Sequence, residues 1–441
     1  MNSELLKIKH SFMVLRKWEF TPLCLLIVMV LVLHFATIST PKDAVFDEAY
    51  YVPAANSILH GLSLGRLEHP PLGQSIIASG IWLFGNNPFG WRFFSVIFGA
   101  VSLVFFYFIC RELNLSKYAA FLAVTLLAVD NLSFTQASTA MLDVFCLTFM
   151  FASVWFYLQK TPVWTGVFIG LAALCKLTGV FALLFIGIHW LVVNPKQVKE
   201  QMLTIVTSGV TFLGGLVLLD AAILHQFLNP FDRLSYMLRF ADILTFSSYH
   251  AIPGNIASPG RPWEWLYHEA ISYNSVSHVW SGLYDSVINP GIWILIIPVV
   301  LFLLFLTLKR GKAATFALCW FVATYVVWIP ITLITNRLTY EYYFYPAVGS
   351  VCIGIALLFS RINNLHSNIR ALNSLRRILL SVYVGAGIIF FVFLYDFGNI
   401  WFRMGWAVVL CFITLYYLDK FTPEEPIPDN SLLPNNPTLK P

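Results

Sequence analysis

The sequence predicts an all-α polytopic membrane protein of about 12 transmembrane helices, with surface helices in its first outer loop. Three observations predict it: the composition, the spacing of apolar stretches and the placement of basic residues. Of 441 residues, 58% are hydrophobic and 11% charged, and the mean hydropathy is +0.74. A soluble globular chain is about 45–50% apolar and about 25% charged. A surface this poor in charge belongs in lipid, and the 39 Phe suit a lipid-facing exterior. The same figures exclude a disordered chain, a collagen and a coiled coil.

Apolar stretches run over 20–38, 90–110, 118–134, 139–158, 162–175, 178–193, 203–225, 291–308, 313–334, 342–360, 378–396 and 400–418. Each is near the length that crosses a bilayer, except the short 162–175. Residues 73–85 are apolar but only 13 long, which suits a surface or re-entrant helix. Keeping 73–85 out of the count places 18 of the 27 Lys and Arg on one side, in short loops and at both ends of the chain. Basic loops stay in the cytoplasm, so both termini are expected inside. Counting 73–85 as a span would turn the later basic loops outward.

The expected organisation is a cytoplasmic N-terminus over 1–19, a transmembrane domain over 20–420 and a disordered cytoplasmic tail over 421–441, which holds six prolines. The first span, preceded by Lys7, Lys9, Arg16 and Lys17, reads as a signal anchor. Two long outer loops result, 39–89 and 226–290. The net charge of +5 is explained by topology. No basic face stands apart from the membrane loops, so no nucleic-acid partner is expected. The seven cysteines lie in or beside apolar segments with no CxxC, so neither a disulfide framework nor a zinc site is indicated.

The outer loops hold the polar chemistry. The first opens with Phe46-Asp47-Glu48-Ala49-Tyr50-Tyr51, leading into a helix-forming stretch over 48–60 that is expected to lie on the membrane. Adjacent carboxylates cannot share one helix face. One can point into a cavity while the other holds a neighbour, and a carboxylate in a partly dry pocket can act as a general base. The competing reading is a solvated acidic helix start complementing the helix dipole. Glu68 and His69 precede Pro70-Pro71, which stiffens the chain and suits the first turn of a helix. A lone histidine here could be acid, base or ligand, but most simply bonds a carbonyl. No HxxxH or HExxH pattern supports a metal.

Three cations fall at the outer ends of spans: Arg92, Lys176 and Arg337. They suit a partly desolvated lipid phosphate, or they snorkel to ordinary headgroups. Asp143, near the start of its span, is expected to pair with a cation or cap backbone donors. Asp130 and Asp220 carry less signal, and His34 reads as a satisfied core histidine. In the second loop, Arg261-Pro262-Trp263-Glu264-Trp265 offers aromatics that suit an interface or a sugar or peptide acceptor.

Taken in order, Phe46-Asp47-Glu48-x-x-Tyr51, His69-Pro70-Pro71-Leu72-Gly73, Asn87-Pro88-Phe89-Gly90-Trp91-Arg92, Leu142-Asp143, Gly170…Lys176-x-Thr178-Gly179, Arg261-Pro262-Trp263-Glu264-Trp265 and Arg337…Tyr342-Tyr343-Phe344-Tyr345-Pro346-Ala347 resemble the protein O-mannosyltransferase family. That family lies in the GT-C superfamily of polyprenyl-phosphate-sugar-dependent glycosyltransferases. The resemblance covers most of 20–360 and implies a GT-C-like fold. It implies inverting transfer of a sugar, typically mannose, from a polyprenyl or dolichyl monophosphate to an acceptor hydroxyl, with no metal or other cofactor. It implies Asp47 as base with Glu48 assisting or orienting, and Arg92, Lys176 and Arg337 holding the donor phosphate. His69, Glu68, Tyr51, Arg261 and Trp263 are expected around the pocket and acceptor.

Two departures qualify the resemblance. Gln74 stands where the family often has Lys, and the large soluble insertion of eukaryotic members is missing, which points to a multi-pass protein of a prokaryotic plasma membrane with an outward-facing site. The acceptor stays open between a protein Ser/Thr and a lipid or envelope glycan. From other classes, a non-catalytic scaffold would tolerate loss of Asp47. A transporter would show broken helices at the midplane and internal repeats, where this sequence concentrates its polar residues in outer loops.

Overall fold

The computed structural model describes residues 20–61, 67–249, 260–266, 288–364, 370–394 and 400–421. The segments expected as the N-terminus and, but for Phe421, the tail lie outside the described residues, as does much of the second outer loop. The helices are α1 Thr21–Thr37, α2 Glu48–Leu59, α3 Pro71–Phe84, α4 Pro88–Glu112, α5 Lys117–Ala128, α6 Asn131–Ser138, α7 Leu142–Leu158 and α8 Pro162–Cys175. There follow α9 Leu177–Val193, α10 Val198–Leu224, α11 Pro230–Ile243, α12 Ile296–Leu308, α13 Lys312–Thr335, α14 Glu341–Asn364, α15 Arg370–Leu394 and α16 Ile400–Lys420. Four-residue helical turns at Phe246–Tyr249 and Pro290–Trp293 and a three-residue turn at Glu264–Leu266 complete the set among the described residues. Among the described residues there is no strand, only an antiparallel bridge between Thr245 and Arg337.

Each apolar stretch of the sequence is helical over most of its length. Six single helices are long and apolar enough to cross a membrane, and a bent pair makes a seventh. α1, α7, α8, α9 and α12 are apolar but shorter, so length and composition do not by themselves make twelve spans. α3, starting on Pro71 after an extended Pro70, is likewise short and lies against α2 and α4.

The stretch expected as one span over 118–134 is two helices, α5 and α6, bent by 59°. The break has a polar cause. Asp130 Oδ2 accepts from the Ser133 amide and hydroxyl, both at 2.8 Å, capping α6. Oδ1 accepts from the Asn289 amide at 2.9 Å, and Asn289 Nδ2 donates to the Val129 carbonyl at 3.0 Å. Backbone groups freed by the bend therefore find partners without water, as lipid requires.

Helices α5–α7 form the buried centre, with almost every residue from Ala119 to Val154 shielded. α4 packs on α7, α7 on α8, α8 on α10, and α14 on α5. His34 is the core histidine expected: its Nδ1 meets Ser138 Oγ at 2.9 Å and its ring stacks on Phe134. Outer helices turn apolar side chains outward, among them Val210, Leu218, Leu301 and Phe412, each more than 60% exposed. Such a belt is stable only against lipid.

Candidate active site

Asp47 occupies the residue just before α2, the position where an aspartate ordinarily caps the helix. Its side chain makes no capping bond. The chain reaches it through Phe46, held at φ +50°, a conformation costly for a bulky residue. The turn is fastened by Glu48: Val45 N donates to Glu48 Oε2 at 3.0 Å while Glu48 N donates to Val45 O at 3.0 Å. Asp47, half-buried, instead accepts from Tyr342 Oη at 3.2 Å on the far side of the chain.

Burial pushes the Asp47 carboxyl above the usual carboxylate range. The Lys176 ammonium pulls it back, Asp143 pushes it up again, and the hydroxyls of Tyr342 and Tyr51 favour its charged form. A raised carboxyl facing a cation and two phenols has the electrostatics of a general base.

Lys176 sits at an extended break between α8 and α9. Its Nζ donates to both oxygens of Asp143, at 2.8 and 2.7 Å, and both partners are buried. An ammonium has three donors, so one has no hydrogen-bond partner among the described residues. Nζ also lies 5.3 Å from the ring centroids of Tyr342 and Tyr343, within cation–π range. Two glycines make this crowding possible. A Cβ at Gly179 would meet backbone of Ala172 and Ala173 at 2.4 Å, so the chain after Lys176 folds tightly onto α8. A Cβ at Gly73 would stand 2.8 Å from Leu142 and 3.2 Å from the Cys175 carbonyl, so α3 abuts the neighbours of Asp143 and Lys176.

The geometry corrects one expectation. Arg92 is fully buried and faces inward. Nε and Nη2 grip Glu48 at 2.8 and 2.7 Å, Nη1 donates to Ile38 O and Pro41 O, and Nη2 also donates to Asp43 O. A guanidinium has five N–H donors, and all are committed, so none is left for a donor phosphate. Glu48, equally buried, further accepts from Ala140 N at 2.7 Å. Its carboxylate is thus held by Arg92 and the backbone amides of Val45 and Ala140. Together Glu48 and Arg92 tie the end of α1, the start of the loop, α2, α4 and the turn before α7 into one platform beneath Asp47.

Tyr51 is buried one turn after Asp47, and its hydroxyl lies 3.4 Å from His69 Nε2, ring to ring at 80°. Glu68 is near enough to act on Tyr51 electrostatically. Asp47, Tyr51, Glu68, His69, Asp143, Lys176, Tyr342 and Tyr343 are therefore brought together. Gln74 is buried in α3.

The other residues expected at the site, Arg261, Trp263 and Arg337, fall in a neighbouring turn. Arg261 lies over the Phe246 ring at 4.4 Å and the Trp263 ring at 5.6 Å, and donates to Asn336 Oδ1 at 3.2 Å. Arg337 follows, on the segment that leads to Tyr342, and its buried Nε has no hydrogen-bond partner among the described residues. Thr339 and Trp265 fasten this turn through Gly260 O, at 2.7 and 3.0 Å. No three His, Cys, Asp or Glu side chains gather as a metal site among the described residues.

Sequence reasoning assigned no role to Tyr342, although its Tyr-Tyr-Phe-Tyr-Pro run was visible. It also passed over Arg233, whose partner is Asp220. The available signal was Asp220 itself, an acid inside an apolar helix that needs a cation.

Residues 68–219 match the family model described as dolichyl-phosphate-mannose-protein mannosyltransferase. The chain is 30% identical over 206 residues to a polyprenol-phosphate-mannose–protein mannosyltransferase of Mycolicibacterium smegmatis, covering 38% of this chain and 40% of that protein. It is 25% identical to the enzyme of the same name from Corynebacterium glutamicum, covering 75% of this chain and 80% of the relative. In fold it is similar to the protein O-mannosyltransferase Pmt1-Pmt2 complex of S. cerevisiae bound to its sugar donor, with a TM-score of 0.58 at 11% identity, covering 86% of this chain and 89% of that one. Over residues 68–219 the chain is thus similar to the protein O-mannosyltransferase family, it spans about 40% of the length of the M. smegmatis relative it matches, and its fold is similar to that of the Pmt1-Pmt2 complex.

Proposed function

We propose that the protein transfers mannose, with inversion, from a polyprenyl monophosphate to an acceptor hydroxyl, with a protein Ser/Thr as the favoured acceptor. The observation that carries the reading is the placement of Asp47: a carboxylate at a helix start that leaves the cap unused and faces Lys176 and Tyr342. In the reaction the acceptor oxygen bonds to the anomeric carbon as its proton passes to Asp47. The anomeric carbon–oxygen bond to phosphate breaks on the opposite face, and polyprenyl phosphate leaves with the electron pair. The free third donor of Lys176 and the unpartnered Nε of Arg337 supply positive charge for that phosphate. Such charge stabilisation is commonly the largest catalytic contribution. By family resemblance the reaction needs no metal, and it takes place on the non-cytoplasmic face of a prokaryotic plasma membrane.

The test uses the purified protein in nanodiscs with radiolabelled polyprenyl-phosphate mannose and a Ser/Thr-rich peptide. Label in the peptide is the expected result. Label reaching only an envelope lipid extract would move the acceptor and keep the donor chemistry. Turnover of no polyprenyl-phosphate sugar would overturn the reading.

The raised carboxyl of Asp47 fixes a pH dependence. The base must be ionised, so kcat is expected to fall on the acid side, with a limb above the usual carboxylate range. Lys176 opposes that rise, so Lys176→Met should move the limb to still higher pH, while also raising the donor KM. A kcat profile at saturating donor checks this; a limb unmoved by the substitution argues against Asp47 as the base.

Asp143 is expected to matter through Lys176. Asp143→Asn removes one partner of a buried pair and leaves the ammonium uncompensated, so thermal stability should fall, by up to about 3–5 kcal/mol, and the donor KM of the folded fraction should change several-fold. Donor titration of the variant against wild type measures it.

A further inference from the structure

Arg233 projects from the first turns of α11 and is 6% exposed, and Asp220 near the end of α10 is 3% exposed. Nε of Arg233 donates to Asp220 Oδ2 at 3.0 Å. The other two nitrogens reach the first outer loop, where Nη1 donates to Leu67 O and Nη2 to His69 O at 3.1 Å. His69 in turn meets the Tyr51 hydroxyl, one turn from Asp47. A planar guanidinium is suited to hold several oxygens at once in fixed directions, and Asp220 holds its orientation.

α11 is docked independently of the arginine. Met237 is buried with Leu174 and Leu216, and Leu234, Leu72 and Leu177 pack against them. Its other face turns Phe231, Tyr236 and Leu238 outward. The helix thus has an apolar seat beside Lys176 and a polar arm into the segment that carries His69.

We propose that Arg233, oriented by Asp220, is a positioning residue: it latches the Leu67–His69 backbone so that the His69 ring holds Tyr51 in place beside Asp47. The second outer loop thereby sets the geometry of the base on the first. The proposal rests on the reading of Asp47 as the base. Arg233 touches no reacting atom, so its effect must travel through His69.

That route predicts a double-mutant cycle. Arg233→Lys keeps a cation for Asp220 but loses the planar fork. It is expected to lower kcat by about tenfold or more with donor KM within about twofold of wild type. In a His69→Ala background the same substitution should lower kcat by less than about twofold, because coupled residues are not additive. An equal loss in both backgrounds, or a loss confined to donor KM, would overturn the latch. Should Arg233→Lys fail to fold, Asp220→Asn, which keeps an oxygen for Nε, enters the same cycle with the same expectations.

A second readout does not need turnover. Hydrogen exchange of peptides spanning 67–77 should quicken in Arg233→Lys while peptides from α5 to α7 stay protected; unchanged exchange at 67–77 would overturn the proposal. A wild-type protein that turns over no polyprenyl-phosphate sugar would sink the proposed function, and the exchange result would still decide the latch.

Discussion

Asp47→Asn is expected to lower transfer by about 10²–10⁴-fold, the usual contribution of a positioned base, while donor binding persists. The substitution is close to isosteric and keeps an oxygen for the Tyr342 hydroxyl. Lys176 and Arg337, the groups offered to the donor phosphate, are untouched. The stability outcome is equally specific. Burial raises the Asp47 carboxyl in the folded protein, so its ionisation works against folding. That cost is absent below the unfolded-state value, grows as pH rises through it, and is fully present above the raised folded value. At neutral pH the variant should therefore melt at or above the wild-type temperature, the pattern of a residue kept for activity at a cost in stability. Transfer assayed beside donor binding and thermal unfolding separates the roles. A variant that melts early and loses donor binding would mark Asp47 as structural, and one that retains transfer would end its role as the base.

The fold was legible where physics is one-dimensional. Apolar runs bounded by polar residues predict helices, and each of the apolar runs is helical, because backbone groups in lipid have no alternative partner. The α5–α6 bend was not legible. It depends on Asp130 meeting Asn289, more than 150 residues away, and the pattern over 118–134 contains nothing that names that partner. The site divides in the same way. That adjacent carboxylates face different ways follows from helix geometry alone, and Asp47 and Glu48 do meet different partners, Tyr342 and Arg92. Which of three outer cations is free cannot follow from position along a span. Arg92 and Lys176 look alike in sequence, yet one has every donor consumed by loop carbonyls and Glu48, and the other keeps a donor beside Asp47. Arg233 was invisible for a related reason: its loop reads as interfacial, and only the folded chain brings it to the His69 segment.

The Glu48–Arg92 pair yields the second large effect. Arg92→Ala would leave the fully buried Glu48 carboxyl with, among the described residues, only the backbone amides of Val45 and Ala140 as partners. Removing one partner of a buried pair costs about 3–5 kcal/mol, and here it also frees the carbonyls of Ile38, Pro41 and Asp43. The expected result is a large fall in thermal stability, with transfer lost in proportion to folded protein. Adding Glu48→Gln should recover part of that stability, since the uncompensated charge disappears and the amide oxygen still accepts from the backbone. Arg92→Lys should fall between, because an ammonium cannot reproduce the bidentate grip on Glu48 together with three carbonyl bonds. These outcomes distinguish the platform from the donor-phosphate role that sequence position suggested. A phosphate ligand would show its loss as a raised donor KM in a protein that melts normally, and Glu48→Gln would rescue nothing. A platform shows the reverse: stability falls first, the donor KM of the folded fraction stays near wild type, and the double variant improves on the single one.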